Sequence, residues 1–130
     1  MSKFVLDASA VLAFVKSERG GEIVGAHMNG GLMSAVNYSE VLKKSAEHGG
    51  SVEVTAELLE QAQIVVVPFG TSEAKQAAAI WPSVRKDGVS FADRACLMLA
   101  IMKGATVLTA DKRMASTDLQ VKVRLIRDRN

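Results

Sequence analysis

Short aliphatic runs alternate with helix-length segments along the whole chain, and few folds accommodate that alternation. Phe4-Val5-Leu6, Leu32-Met33, Ile64 to Val67, Ala105 to Thr109 and Val121 to Ile126 read as five short strands. Ile64-Val65-Val66-Val67 is the clearest of them, β-branched and stopped by Pro68. The segments between them read as helices: Ala8 to Val15, Glu22 to Met28, a Ser34-capped helix to Glu47, and one started by Ser51 or Thr55 with Leu58, Leu59 and Ala62 inward. Thr71 or Ser72 starts the next, which Pro82 ends or kinks. Ser90 to Lys103 follows, closed by Gly104, and Lys112 to Ser116 makes a last short helix. Strands separated by helical crossovers pair in parallel and need cover on both faces. The alternation therefore predicts an α/β fold, a parallel sheet between helical layers, as one domain over residues 1–130.

Composition excludes several classes. With 48% apolar and 23% charged residues the chain is neither disordered nor a membrane-spanning bundle, and no apolar run reaches the roughly 20 residues of a transmembrane helix. Met1-Ser2-Lys3 runs straight into the first strand without a signal-peptide pattern, and the lone Cys96 permits no internal disulfide. A cytoplasmic protein is the expectation. The net charge of +2 is too small to indicate nucleic acid. Six cations nevertheless fall in the last nineteen residues (Lys112, Arg113, Lys122, Arg124, Arg127 and Arg129), against Asp111, Asp118 and Asp128. They read either as a solvated face or as a rim that guides phosphate.

Four acids occupy the places where strands pass into helices. Asp7 closes the first strand and Asp111 the fourth; Glu40 lies inside the helix after the second, and Asp93 lies in the first turn of the helix opened by Ser90. In a parallel sheet those places share one edge, where open α/β folds hold their ligands. In a doubly wound order the first and fourth strands are neighbours, which puts Asp7 and Asp111 roughly one strand spacing, about 5 Å, apart. Carboxylates so placed raise one another's pKa or recruit a hard cation such as Mg²⁺. Ser9 and Thr109 flank the same crevice and can orient water. Each acid also has a purely local explanation: Asp7 and Asp111 as helix caps, Asp93 as half of a capping box with Ser90, Glu40 as the partner of Lys44 one turn on.

These segments resemble the motifs of PIN-domain ribonucleases. Val5-Leu6-Asp7-Ala8-Ser9-Ala10 resembles the opening motif, and Ser34 to Glu40 the second. Val89 to Leu97, with Asp93, resembles the third, and Thr109-Ala110-Asp111-Lys112 the fourth. The four cover nearly the whole chain in order, and its length is most similar to the VapC toxins of type II toxin–antitoxin pairs. The resemblance implies a PIN-like three-layer sandwich with strand order 3-2-1-4-5. It implies an Mg²⁺- or Mn²⁺-dependent endoribonuclease that leaves 5′-phosphate ends. Asp7, Glu40, Asp93 and Asp111 would form the metal pocket, with Ser9 and Thr109 as supporting hydroxyls. It also implies an RNA substrate, a homodimer, and an antitoxin whose tail fills the acidic pocket with a basic side chain.

Alternatives within the resemblance are an RNA-processing nuclease that is no toxin, and a PIN-like RNA-binding module with weak or no catalysis. A phosphoacceptor receiver domain is disfavoured, because Val67-Pro68-Phe69 stands where it needs an aspartate after the third strand. His27 and His48 lack ligand spacing and read as surface residues, and Cys96, Met98, Leu99, Ile101 and Met102 read as packing. Gly30-Gly31 and Gly49-Gly50 lack the lysine and serine of a phosphate loop, and Trp81 reads as structural.

Overall fold

A computed structural model describes residues 3–127. Asp128 and Arg129 of the basic C-terminal run lie outside the described residues. Five parallel strands, β1 (Phe4–Leu6), β2 (Leu32–Ser34), β3 (Val65–Val67), β4 (Thr106–Thr109) and β5 (Val123–Leu125), form one sheet in the order β3-β2-β1-β4-β5. The expected strand order is thus the observed one. The helices are α1 (Ala8–Val15), α2 (Gly21–Ala26), α3 (Ala35–Glu47), α4 (Val52–Gln61), α5 (Thr71–Ala79), α6 (Trp81–Val84), α7 (Phe91–Lys103) and α8 (Lys112–Ala115). Their ends differ by one or two residues from the sequence expectation, the usual fraying of element boundaries.

Side chains alternate across the sheet and divide the core in two. Leu6, Met33 and Leu108 face a cluster with Val11, Leu12, Val24, Val41 and Leu59, drawn from α1 to α4. Val5 and Val107 face the other way, onto Ala77 of α5, Met114 of α8 and the Cys96 to Ala100 stretch of α7. The result is three layers. α1 and α2 meet so closely that a Cβ on Gly21 would lie 2.6 Å from the Ala13 carbonyl oxygen. Gly21→Ala should therefore destabilise by about 1–3 kcal/mol through overpacking, read as a lower urea midpoint at unchanged slope.

Local sequence signals hold where a cap defines them. Ser34, Ser51 and Ser90 each cap their helix through the side-chain oxygen, and Gly104 closes α7 in the left-handed conformation at φ 61°. Helix α5 stops at Ala79, capped by Ile80, and Pro82 sits in the first turn of the short α6. Burial differs in three places. Leu58 faces solvent, because Thr55 and Leu59, one turn apart, take the inward line of α4. Ile101 and Met102 are exposed at the end of α7, past the reach of the sheet. β3 is an edge strand with Val65 and Val66 open to solvent, so β propensity identified the strand without indicating its burial.

Candidate functional site

Parallel strands deliver their C-terminal ends to one edge, and a cavity of about 420 Å³ opens there. Its lining includes Asp7, Ser9, Asn37, Glu40, Asp93 and Asp111, with Lys16, Lys44, His48, Arg113 and Arg127 among the basic residues. A hollow of about 490 Å³ lies at the other edge, beside the starts of β1, β4 and β5, but among the described residues its walls carry no acid or histidine. The four acids thus share one cavity.

Asp7 is the most buried of the four, 4% exposed at the junction of β1 and α1. β1 and β4 pair with Leu6 opposite Leu108, so the residue facing Asp7 across the strands is Thr109 rather than Asp111. The Thr109 hydroxyl donates a short hydrogen bond to Asp7 Oδ2, while Ser9 Oγ (2.7 Å) and the Ala10 N–H (2.9 Å) donate to Oδ1. Ser9 Oγ also accepts from the Ala110 N–H (2.9 Å), and Thr109 Oγ1 accepts from the Asp111 N–H (3.0 Å). The two hydroxyls therefore stitch the β1–α1 junction to the β4–α8 junction around Asp7.

Burial pushes the Asp7 carboxyl up from the ordinary 3.8 to about 6; the bonds from Thr109, Ala10 and Ser9 oppose it, and repulsion from Asp93 adds a smaller increment. The expected mutual repulsion of Asp7 and Asp111 is not the cause. Desolvation is.

Asp93 carries out its local role and still faces the cavity. Its Oδ2 accepts from the Ser90 N–H at 3.0 Å while Ser90 Oγ accepts from the Asp93 N–H at 3.2 Å, a complete capping box. Glu40 lies half-buried on α3 and forms no ion pair with Lys44; the pair on this helix is Lys43 with Glu47, at 2.9 Å. Asp111 caps α8 through the Arg113 N–H, and both of its oxygens are forked by the Arg113 guanidinium at 2.7 to 3.2 Å.

Lys16, Glu18 and Asn37 are among the cavity residues that the sequence reading did not single out. Asn37 is 1% exposed, one turn before Glu40 on α3. Its Nδ2 donates to the Ala92 carbonyl at 3.0 Å, tying the helix of Glu40 to the residue before Asp93, and its Oδ1 has no hydrogen-bond partner. An asparagine three residues ahead of the acid on one helix face was the available signal. His48, expected only as a surface residue, is exposed but reaches the cavity rim. Of the C-terminal cations, Arg113 and Arg127 border the cavity, whereas Lys122 lines the opposite hollow.

The donors suit a hard divalent cation by their chemistry: carboxylate oxygens, plus a buried amide oxygen left without a partner. Among the described residues no three acids, histidines or thiols are gathered closely enough to share one ion. Asp111 in particular is engaged by Arg113.

The PIN domain family profile matches residues 4–119. No curated protein sequence matches the chain. Among solved structures it resembles a toxin–antitoxin complex from Klebsiella pneumoniae (TM-score 0.79, 12% identity, 97% of this chain and 99% of that one). It also resembles the DNA-bound VapBC of Salmonella typhimurium (TM-score 0.73, 18% identity, 98% and 100% of the two chains). A third is VapBC2 of Rickettsia felis bound to a promoter DNA fragment (TM-score 0.69, 13% identity, 94% and 97%). At identities this low the likeness shows the fold alone.

Proposed function

The chain belongs to the PIN domain family, and from that premise we propose that it is a metal-dependent endoribonuclease and the toxin of a VapBC-type toxin–antitoxin pair. The observation that carries the reading is the buried Asp7 carboxylate, held by Ser9 and Thr109 at the switch of the sheet, in one cavity with Glu40, Asp93 and Asp111. An anion kept out of water at that cost has a use for a cation.

Asp7, Glu40, Asp93 and Asp111 are the proposed holders of Mg²⁺ or Mn²⁺. A bound cation supplies charge neutralisation at the phosphodiester and eases deprotonation of water near neutral pH. Asp7 is oriented for this by its two hydroxyl partners. Whichever of Asp93 and Glu40 is not directly on the metal positions the attacking water and accepts its proton. Water oxygen bonds to phosphorus and the bond to the 3′ oxygen breaks, leaving a 5′-phosphate and a 3′-hydroxyl that takes its proton from solvent. The rim cations draw single-stranded RNA toward the cavity. Incubation with total cellular RNA and Mg²⁺, with the new ends mapped, tests the proposal. Discrete cuts bearing 5′-phosphates are expected; an intact RNA pool that the protein nevertheless binds would favour an RNA-binding module without catalysis.

The partner proposed is an antitoxin whose tail places a cation among the acids; the resembling Klebsiella pneumoniae structure is itself described as a toxin–antitoxin complex, and the other two as VapBC bound to DNA. Tail affinity should then fall with salt and compete with Mg²⁺. Independent binding of tail and Mg²⁺ in a titration would mean inhibition by covering the RNA surface instead. A homodimer in the cytoplasm completes the proposal, and sedimentation should give twice the chain's mass. No helix of the described residues is long and apolar enough to cross a membrane.

A further inference from the structure

We propose that Arg113 serves two anions in turn: the Asp111 carboxylate in the free protein, and a non-bridging phosphate oxygen of the RNA once cation and substrate are in the cavity. This rests on the ribonuclease reading of that cavity.

The contacts define both states. Arg113 Nη2 lies 2.7 Å from Asp111 Oδ2, and Nε lies 3.1 Å and 3.2 Å from the two oxygens. Nη1 donates elsewhere, to the Gly88 carbonyl at 2.9 Å. One edge of the guanidinium is thus bound to a carboxylate while its far nitrogen is anchored on backbone. With the fork closed, both Asp111 oxygens face a positive charge, and a divalent cation at Asp111 would be repelled by that same charge. Asp111 becomes a cation ligand only when Arg113 leaves it.

The pair lies at the surface, 58% exposed on the arginine and 24% on the aspartate, so solvent screens it and a second anion can compete for the fork. A planar fork that fits carboxylate fits phosphate equally well, and pivoting about the Gly88 contact keeps it over the cavity that both line. The other arginine on the rim is committed to different partners, since Arg127 Nη1 lies on the Arg19 carbonyl (2.8 Å) and beside Glu18 (3.5 Å). The exchange couples the two ligands: the cation frees the arginine, and the phosphate diester occupies it.

The test uses the unmodified protein, Arg113→Gln and Arg113→Lys. Mn²⁺ alone is titrated by calorimetry. A fluorescent single-stranded RNA whose bridging 3′ oxygens are replaced by methylene, and which is therefore not cut, is then titrated in Mn²⁺ on the same three proteins. Without RNA, Arg113→Gln should bind Mn²⁺ up to about fivefold more tightly, the range set by a weak exposed pair. It should bind RNA about tenfold more weakly, as loss of a charge-assisted phosphate contact implies, with a salt slope shallower by about one contact. Arg113→Lys keeps the charge and loses the fork, so it should retain the slope and part of the affinity. Unchanged or weaker Mn²⁺ binding by Arg113→Gln would overturn the proposal, because the arginine would then be orienting Asp111 for the ion. Unchanged RNA binding would overturn it equally. If the unmodified protein binds no Mn²⁺, the ribonuclease reading fails and this proposal with it.

Discussion

Asp93→Asn is expected to lower the rate of RNA cleavage by ~10²–10⁴-fold, the range for losing a positioned acid–base group, while leaving the fold intact. The amide oxygen can still accept from the Ser90 N–H, so the capping box survives the change that removes the charge. Stability should fall by only about 0.3–1 kcal/mol, the value of an anion at a helix N-terminus. Ser90→Ala is the complementary variant. It loses the hydroxyl that caps α7, costing about 0.5–2 kcal/mol, but keeps the carboxylate and should retain most of the activity. Single-turnover cleavage and urea unfolding on both proteins separate the two roles of one side chain. Full activity in Asp93→Asn would leave Asp93 as a cap and nothing else.

Asp7→Asn should abolish cleavage and, without metal, make the protein more stable at neutral pH. The folded protein holds the Asp7 proton up to a pKa of about 6, against the ordinary 3.8 of an unfolded chain. The folded state therefore binds the proton more tightly, and stability declines as pH rises from about 3.8 through 6. Below that window the carboxyl is neutral in both states and imposes no penalty. Above it the penalty is complete, on the order of 3 kcal/mol for a group this buried. Asparagine resembles the protonated acid and keeps an oxygen for Ala10 and Ser9, so its stability should stay flat across the window. The gain at pH 7 in EDTA should be about 1–3 kcal/mol, vanishing near pH 4. Mg²⁺ should stabilise the unmodified protein by about 2.7 kcal/mol at a hundredfold excess over its dissociation constant, and the variant less. Asp111→Asn belongs with ordinary destabilising changes, because it loosens the Arg113 fork. Melts from pH 4 to 7, with and without Mg²⁺, decide this. An Asp7→Asn protein that melts lower at pH 7 and responds to metal like its parent would reduce Asp7 to a helix cap.

The elements and their order were legible in the sequence because the signals are local. A serine before a helix or a glycine after it is satisfied by its own few neighbours, as at Ser34, Ser90 and Gly104. Strand–helix alternation then left a parallel sheet with β1 at its centre as the natural arrangement. Asp7 and Asp111 were legible on the same basis, each just past a strand end, and Glu40 and Asp93 through their places on the helices opened by Ser34 and Ser90; all four line one cavity.

Tertiary structure decided everything that depends on register and on distant partners. Register placed Thr109 rather than Asp111 opposite Asp7, so that the Thr109 hydroxyl donates to one carboxylate oxygen while Ser9 reaches the other from the same turn of chain. Burial, which no window of sequence reports, raised the Asp7 pKa where repulsion between acids was expected to. The position of β3 at the sheet edge left Val65 and Val66 open to solvent, and α4 turned Leu59 inward rather than Leu58. The Asn37 bond to the Ala92 carbonyl spans fifty-five positions, and the Arg113 contact with Gly88 spans twenty-five. Local chemistry determines which residues can act; the fold determines what each one faces, because hydrogen bonds and desolvation act through space and not along the chain.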